Sequence, residues 1–419
     1  MLSVEENELL TRTAPGTPMG TFVRRFWLPF LPALLIAAAL AAPGLAQPAP
    51  VKIDVIISLT GSTSFTSKDQ VDSLHVLEAY TNKTGGIGGR PVQFVFHDDA
   101  SSPQVAVQLA NQIIATNASV ILGPAVTGPC QAVAAITVDR GPVSYCLSPP
   151  IAPPANSYVF AASMPAVVAD GSMMKYLRLR GFRRFAFIVS NDASGQVNEK
   201  AADAALAQPE NSAIRVVERE HFAPTDVSIA AQAAKIKASD ADVVVVWCIG
   251  TPFGTVLRSL NDANVTLPVM TTGGNYSPVQ LAQYVSFLPK ELYLPGYPFL
   301  VPELIESPPH KAAIKTFLDL FRAAGITPSP GAAPYVWDPA MMVIAALRKL
   351  GPDATATQVR DYLLAIRDFV GINGRYDFSS GDQHGLTAES QVIVRWDAAR
   401  GAGVPVSRPG AIPIDARSR

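Results

Sequence analysis

The chain has 419 residues, 48% of them hydrophobic and 16% charged, with 34 acidic against 33 basic residues and a formal net charge of -1. That length suffices for two or three packed cores. The even charge balance lacks the basic stripe of a nucleic-acid partner. Three cysteines and five histidines show no zinc-ligand spacing, so no metal and no cofactor is expected. Cys248 reads as a small buried apolar residue. A Cys130 to Cys146 bridge would need an oxidising compartment and is the less favoured reading for that pair.

Near the start, Arg24 and Arg25 precede an apolar run from Phe26 to Ala42, and Gly44, Leu45 and Ala46 offer small residues before Gln47. This pattern reads as a secretory signal peptide within an N-terminal extension, 1–46. Pro29 and Pro32 interrupt the run and argue against a membrane anchor. No cysteine follows the cleavage point, which excludes lipid attachment there. A free periplasmic protein is the expectation. The first residues, MLSVEENELLTR, are acidic where an export signal should be basic. Initiation at Met19, or a fused remnant, would account for them.

From Val51 onward short apolar strands alternate with helices, as a parallel α/β sheet requires. Strands are expected at Ile53–Ser58, Val92–Phe96, Ser119–Leu122 and Pro142–Leu147, with helices at Asp69–Thr81, Pro103–Thr116 and Cys130–Val138. The glycines of GGIGG (85–89) precede a strand and end in Arg90. A phosphate loop would instead follow a strand and open a helix, so they read as a helix C-cap and tight turn. The pattern then restarts. Strands are expected at Phe185–Ser190, Ile214–Glu220, Val243–Cys248, Val269–Thr271 and Leu292–Leu294. The helices between them fall at Asp170–Arg180, Gln196–Ala207, Ser228–Ala238 and Gly254–Asp262. The proline-broken stretch Tyr293–Val301 reads as a crossing back to the first half. Helices at His310–Ala323, Pro339–Lys349 and Thr357–Ala365 follow, and Gly374–Trp396 is expected to form a hairpin at the edge of the second sheet. The fold class is therefore α/β: two Rossmann-like lobes of parallel strands flanked by helices, joined by three crossings. The expected division is 47–164 plus 297–370 for the first lobe and 165–296 plus 371–400 for the second, with 401–419 as a tail. In such sheets the loops after the strands form the ligand crevice.

Six motifs occur in order: SLTG (58–61), NKTGGIGGRPV (82–92), HDDASSPQVAV (97–107), LGPAVTG (122–128), FAPTDVS (222–228) and FVGINGRYDFSSGDQHGL (369–386). Together they resemble type I periplasmic binding proteins of the branched-chain amino acid group, which feed ATP-binding-cassette (ABC) importers. The resemblance covers Val51 to Trp396. It implies a receptor without catalytic activity, an inner-membrane ABC permease as partner, and a monomer that binds a small-molecule carboxylate. The sequence has no G-x-S-x-G elbow and no HExxH pair, which agrees with a non-enzyme. Separately, residues 1–31 resemble the opening of Rieske-type phthalate dioxygenases, but no Cys-x-His cluster motif follows.

The resemblance also implies site residues. Thr127 falls at the hydroxyl of the loop that grips a carboxylate, just before a helix whose first amides favour an anion. As the bland alternative it would only cap that helix. The next contact loop falls on Ser148, Ile151 and Ala152, where relatives keep an Ala-Thr pair. One hydroxyl is missing there, and Ser148 is its candidate substitute. Ser194 stands where a ligand-facing tyrosine is usual. No acid occupies TGGN (272–275), the position that would meet an ammonium group. Burying an ammonium without a partner costs several kcal/mol, so an aromatic or other hydrophobic carboxylate is favoured over an α-amino acid. Phe65, Tyr145, Phe253, Asn275, Tyr276, Tyr297 and Trp337 are the expected aromatic and amide walls. Asp338 reads as structural. A ligand-sensing module is the alternative to a transport component.

Overall fold

The computed structural model describes residues 48–148 and 151–414. The signal-peptide and leader readings over 1–46 lie outside the described residues. The first lobe opens with β1 (Val51–Ile57), α1 (Ser64–Lys83), β2 (Val92–Asp98), α2 (Pro103–Ile114), β3 (Val120–Leu122), α3 (Thr127–Thr137), β4 (Val143–Cys146) and β5 (Val159–Ala161). The five strands are all parallel, in the order β2-β1-β3-β4-β5. Successive side chains of a strand leave opposite faces, and β1 feeds both. Val51, Ile53, Val55 and Ile57 enter the large core beneath α1. Ile56 meets Ala106, Ala110 and Ile113 of α2 on the other side. The GGIGG turn is structural: Gly85, Gly86, Gly88 and Gly89 all have positive φ, and a Cβ on Gly86 would lie 1.9 Å from the Arg90 carbonyl oxygen.

The second lobe holds α4 (Ala166–Leu179), β6 (Arg184–Ser190), α5 (Ala193–Leu206), β7 (Arg215–Phe222), α6 (Ala230–Ala238), β8 (Val243–Trp247), α7 (Thr251–Asp262), β9 (Val269–Thr271), α8 (Pro278–Ala282) and β10 (Leu292–Gly296). The near-continuous apolar run of β8 marks a strand covered on both faces. Val244 and Val246 pack with Phe253 and Leu257 of α7, whereas Val243, Val245 and Trp247 pack with Met173 of α4 and Ala202 of α5. After β10 the chain returns to the first lobe with α9 (Pro308–Ala323), α10 (Ala333–Leu350) and α11 (Ala356–Leu364). Phe317, Trp337, Val343 and Leu363 join the same core as Leu74 and Leu77 of α1.

Four expectations need correction. The helix predicted from Pro339 begins six residues earlier, and Pro339 lies inside it. A proline usually opens a helix because its ring displaces the bond to the carbonyl four residues back. Here burial of nearly the whole first turn outweighs that loss. The predicted 374–396 hairpin is two separate structures: β11 (Phe369–Val370) pairs with β12 (Arg375–Tyr376), while β13 (Val392–Asp397) lies antiparallel to β10. The division at residue 371 is also displaced, because Ile372, Tyr376, Phe378 and Leu386 enter the first lobe's core. Finally, the segment taken as a tail contains β14 (Ala402–Pro405), which pairs with β13 and closes a seven-stranded sheet in the order β14-β13-β10-β9-β8-β6-β7.

Asp338 explains why the hairpin stays with the first lobe. Its buried carboxylate accepts from the backbone amides of Ile372 and Asn373, both at 2.9 Å, and from the Tyr376 hydroxyl at 3.2 Å. A Cβ on Gly371 would lie 2.2 Å from Asp338 Cγ, so only glycine passes there. Asp338→Ala leaves two buried amides unpaired, and an expected loss of about 3 kcal/mol is measurable by urea unfolding. A loss below about 1 kcal/mol would show that the hairpin is held by its apolar contacts alone.

Candidate functional site

All ten parallel strands deliver their following loops to the same edge of their sheet, and the two edges face one another across a cleft. The cleft encloses about 850 Å³ of non-protein space, its open mouth included. Its walls come from the loops after β3, β4 and β5 on one side and after β8, β9 and β10 on the other, together with the first turns of α1, α3, α4 and α5.

Four of the sequence-predicted residues line this cleft: Thr127, Ser148, Ser194 and Tyr297. Thr127 is the first residue of α3. The N-cap is Val126, and no side chain caps the helix, so Thr127 is not serving as the cap. Its Oγ1 instead lies 2.9 Å from Ser148 Oγ in a buried hydroxyl pair. Helix geometry leaves the amides of Thr127 and Gly128 without an intrahelical acceptor, while Cys130 donates to Val126. Two hydroxyls and two amides at the positive end of a helix suit an anion. Behind them α3 is tied to β4 by a disulfide between Cys130 and Cys146, with Cα atoms 6.0 Å apart, contrary to the less favoured status the bridge had from sequence.

The other predicted residues do not reach the cleft wall. Ile151 is buried in the cluster around that disulfide, and Ala152 is exposed. Phe65 is half-buried in the first turn of α1 and outside the lining. Tyr145 packs on Phe160, and Trp337 on Phe317 and Phe321, within the first core. Phe253 and Tyr276 belong to the second core, where the Tyr276 hydroxyl accepts from the Gly403 amide at 2.9 Å. Asn275 is fully committed to the fold: it donates to the Cys248 carbonyl and Thr271 Oγ1 and accepts from the Gly250 amide. A residue's proximity in sequence to a cleft loop does not fix which way it points. In TGGN, Thr272, Gly273 and Gly274 face the cleft while Asn275 turns inward.

The sequence reading missed much of the wall. Leu147, Met164, Met173, Ile249 and Tyr335 supply its apolar part, with Tyr335 set edge-on to Tyr297 at 5.5 Å. The Tyr297 hydroxyl is 2.8 Å from Ser163 Oγ, which joins the two crossings that bracket the second lobe. Burial pushes Tyr297 well above the ordinary phenol value and Tyr335 up to about 12, so both stay neutral. Polar wall residues also include Gln70, Asp170, Thr272 and Gln391, each with a buried oxygen that has no hydrogen-bond partner in the protein. Asp170 is the most consequential. Among the described residues no Lys, Arg or His lines the cleft, and burial raises the Asp170 carboxyl to about 8, only partly opposed by the Trp247 indole N–H at 3.3 Å. The expectation of a cleft without an acid is therefore overturned: the acid comes from α4 rather than from TGGN. A polar Asp in an otherwise apolar helical turn was its only sequence signal. Among the described residues, no group of three or more His, Cys, Asp or Glu is placed to hold a metal, and no helix is long and apolar enough to cross a membrane.

An acid with a raised pKa destabilises the fold as pH rises. Unfolded, Asp170 ionises near 3.8; folded, it holds its proton to about 8. Its contribution is therefore full below pH 4 and declines between 4 and 8. Asp170→Asn should match the native chain near pH 4 and exceed it by about 5 kcal/mol at pH 8, since each pH unit between the two values is worth about 1.4 kcal/mol, measured by urea unfolding at both. Parallel pH profiles would show that the group ionises normally.

Comparison with known proteins places this geometry. Residues 50–402 match the periplasmic binding protein family, a family of solute-binding proteins rather than enzymes. The Leu/Ile/Val-binding protein homolog 3 of Brucella melitensis is 26% identical over 225 residues, 53% of this chain and 61% of that one. The Leu/Ile/Val-binding protein of Escherichia coli K12 is 27% identical over 103 residues, 25% of this chain and 28% of that one. The chain thus aligns with less than two thirds of the length of either relative. Among solved structures, a solute-binding protein of a Rhodopseudomonas palustris ABC transporter, in complex with benzoate, superposes with a TM-score of 0.69 at 19% identity, covering 87% of this chain and 97% of that one. The branched-chain amino acid transporter substrate-binding protein LivJ of Streptococcus pneumoniae, in complex with isoleucine, gives 0.68 at 18% identity, covering 85% and 99%. By its match over most of its length and its two-lobed fold, the chain belongs to the periplasmic binding protein family, type I.

Proposed function

We propose that the protein is the extracytoplasmic receptor of an ABC importer, taking a small organic carboxylate with an aromatic or otherwise hydrophobic body into the cleft. The observation that carries this reading is the paired hydroxyls of Thr127 and Ser148 at the uncapped start of α3, next to a wall of Leu147, Met164, Met173, Ile249, Tyr297 and Tyr335. The helix end and hydroxyls would hold the carboxylate, and the apolar wall would cover the rest. Both lobes contribute, so a bound ligand would favour the closed arrangement through a hinge at the three crossings. In this reading the receptor is periplasmic and monomeric and delivers its ligand to permease subunits in the inner membrane. No bond is made or broken. The benzoate-bound and isoleucine-bound structural neighbours support an organic carboxylate as the class. A second reading, a branched-chain or other amino acid, is favoured by Asp170, an acid that could meet an ammonium. A periplasmic sensing module would differ only in what docks outside.

Thermal-shift screening of the full chain with benzoate-type acids, dicarboxylates, leucine and valine separates these. A rise with hydrophobic acids and none with amino acids is expected. A rise confined to leucine or valine would select the second reading. Thr127→Val should weaken carboxylate binding by about 2 kcal/mol, roughly thirtyfold in Kd, by titration calorimetry. Unchanged affinity would remove Thr127 from the site.

A further inference from the structure

We propose that Asp170 works in the cleft as a neutral carboxylic acid, its Oδ2–H donating to an oxygen acceptor on the part of the ligand that faces the second lobe. This rests on the proposed carboxylate receptor and narrows its ligands to acids that carry a second oxygen acceptor, such as a keto or carboxyl group. The geometry comes first. Asp170 is 3% exposed, sits in the first turns of α4 and lines the cleft. Oδ1 accepts from the Trp247 indole, which places the carboxyl proton on Oδ2. Oδ2 is buried and, among the described residues, has no hydrogen-bond partner, while Asp170 itself lines the cleft, so an unpaired donor sits at the cleft wall. A buried donor without an acceptor is costly, and a ligand oxygen there removes the cost.

The surroundings favour the neutral form. Charged side chains on elements packed against Asp170 are Lys175 and Arg178 of α4 itself, Glu199, Lys200 and Asp203 of α5, Glu210 in the turn 209–211 and Glu389 in the turn 388–390. Glu199 and Asp203 are paired with Arg219. Burial is the main influence raising the Asp170 carboxyl, opposed by the Trp247 N–H. The cleft's own titratable neighbours, Tyr297 and Tyr335, are neutral. A carboxyl held protonated in an apolar site can donate a hydrogen bond at neutral pH. It also avoids the repulsion that an ionised aspartate would exert on an anionic ligand. Asp170 lies in the second lobe and the Thr127–Ser148 pair in the first, so such a ligand would bridge the lobes.

Titration of the full chain with benzoate, 4-acetylbenzoate, terephthalate and leucine, from pH 6 to 9, tests this. At pH 6–7 the two acceptor-bearing acids are expected to bind at least about tenfold more tightly than benzoate. That margin should vanish in Asp170→Leu and persist within about threefold in Asp170→Asn, which keeps shape, neutrality and a donor. Above pH 8 the native margin should fall about tenfold per unit as the proton is lost, while the Asn variant stays flat. If the Leu variant fails to fold, the Asn variant and the pH profile carry the test. An equal margin in every variant overturns the assignment. Leucine binding that tightens toward pH 8 and disappears in Asp170→Asn also overturns it, since Asp170 would then be an ionised partner of a cation. If no carboxylate binds any variant, the receptor reading itself falls, and this inference with it.

Discussion

Parallel strands can be joined only by crossovers, and right-handed crossovers return every loop to the same edge of the sheet. Here two sheets with that property face one another, and loops from both line one cleft. Everything functional in the chain depends on that constraint. It concentrates helix N-termini, short turns and uncommitted polar atoms in one place, while the apolar faces of both sheets remain buried beneath flanking helices.

Charge in the cleft is unevenly arranged. The first lobe offers a helix start and two hydroxyls, with no acidic residue in the first turn of α3. The second lobe offers one carboxyl, held protonated by burial. Among the described residues no basic side chain lines the wall, so an anion of the proposed class would be held by oriented backbone dipoles and hydroxyls. Such dipoles cost little to bury because each is already part of a folded helix or turn. The Cys130–Cys146 link fixes the start of α3 against β4 and so holds Thr127 in register with Ser148, two residues beyond that cysteine.

The second sheet is completed from far along the chain. β13 and β14 enter beside β10 after the polypeptide has gone back through α9, α10, α11 and the β11–β12 hairpin of the first lobe. Asp338 anchors that return by accepting two backbone amides. Each lobe therefore contains segments from both halves of the sequence, and the crossings sit together beside the cleft, where Tyr297 and Ser163 meet.

The alternation of apolar strands with helices, the loop-borne glycines, the return of the chain to its first lobe and the family resemblance were all legible in the sequence, because each follows from local periodicity, turn chemistry or motif order. So was the placement of Thr127 and Ser148 at the cleft, one opening α3 and the other just after β4. The aromatic wall was not. Phe253, Tyr276, Trp337 and Tyr145 lie near the cleft along the chain yet point into the cores. Which face of an element is buried depends on what packs against it. Asp170 shows the same limit in reverse: in the sequence it is one acid in an apolar helix, and only the packing of α4 against α5 and Trp247 turns it into a buried proton donor at the ligand's edge. Local chemistry determined the elements and brought Thr127 and Ser148 to the cleft; the contact of one lobe with the other, which no single segment encodes, decided the remaining walls.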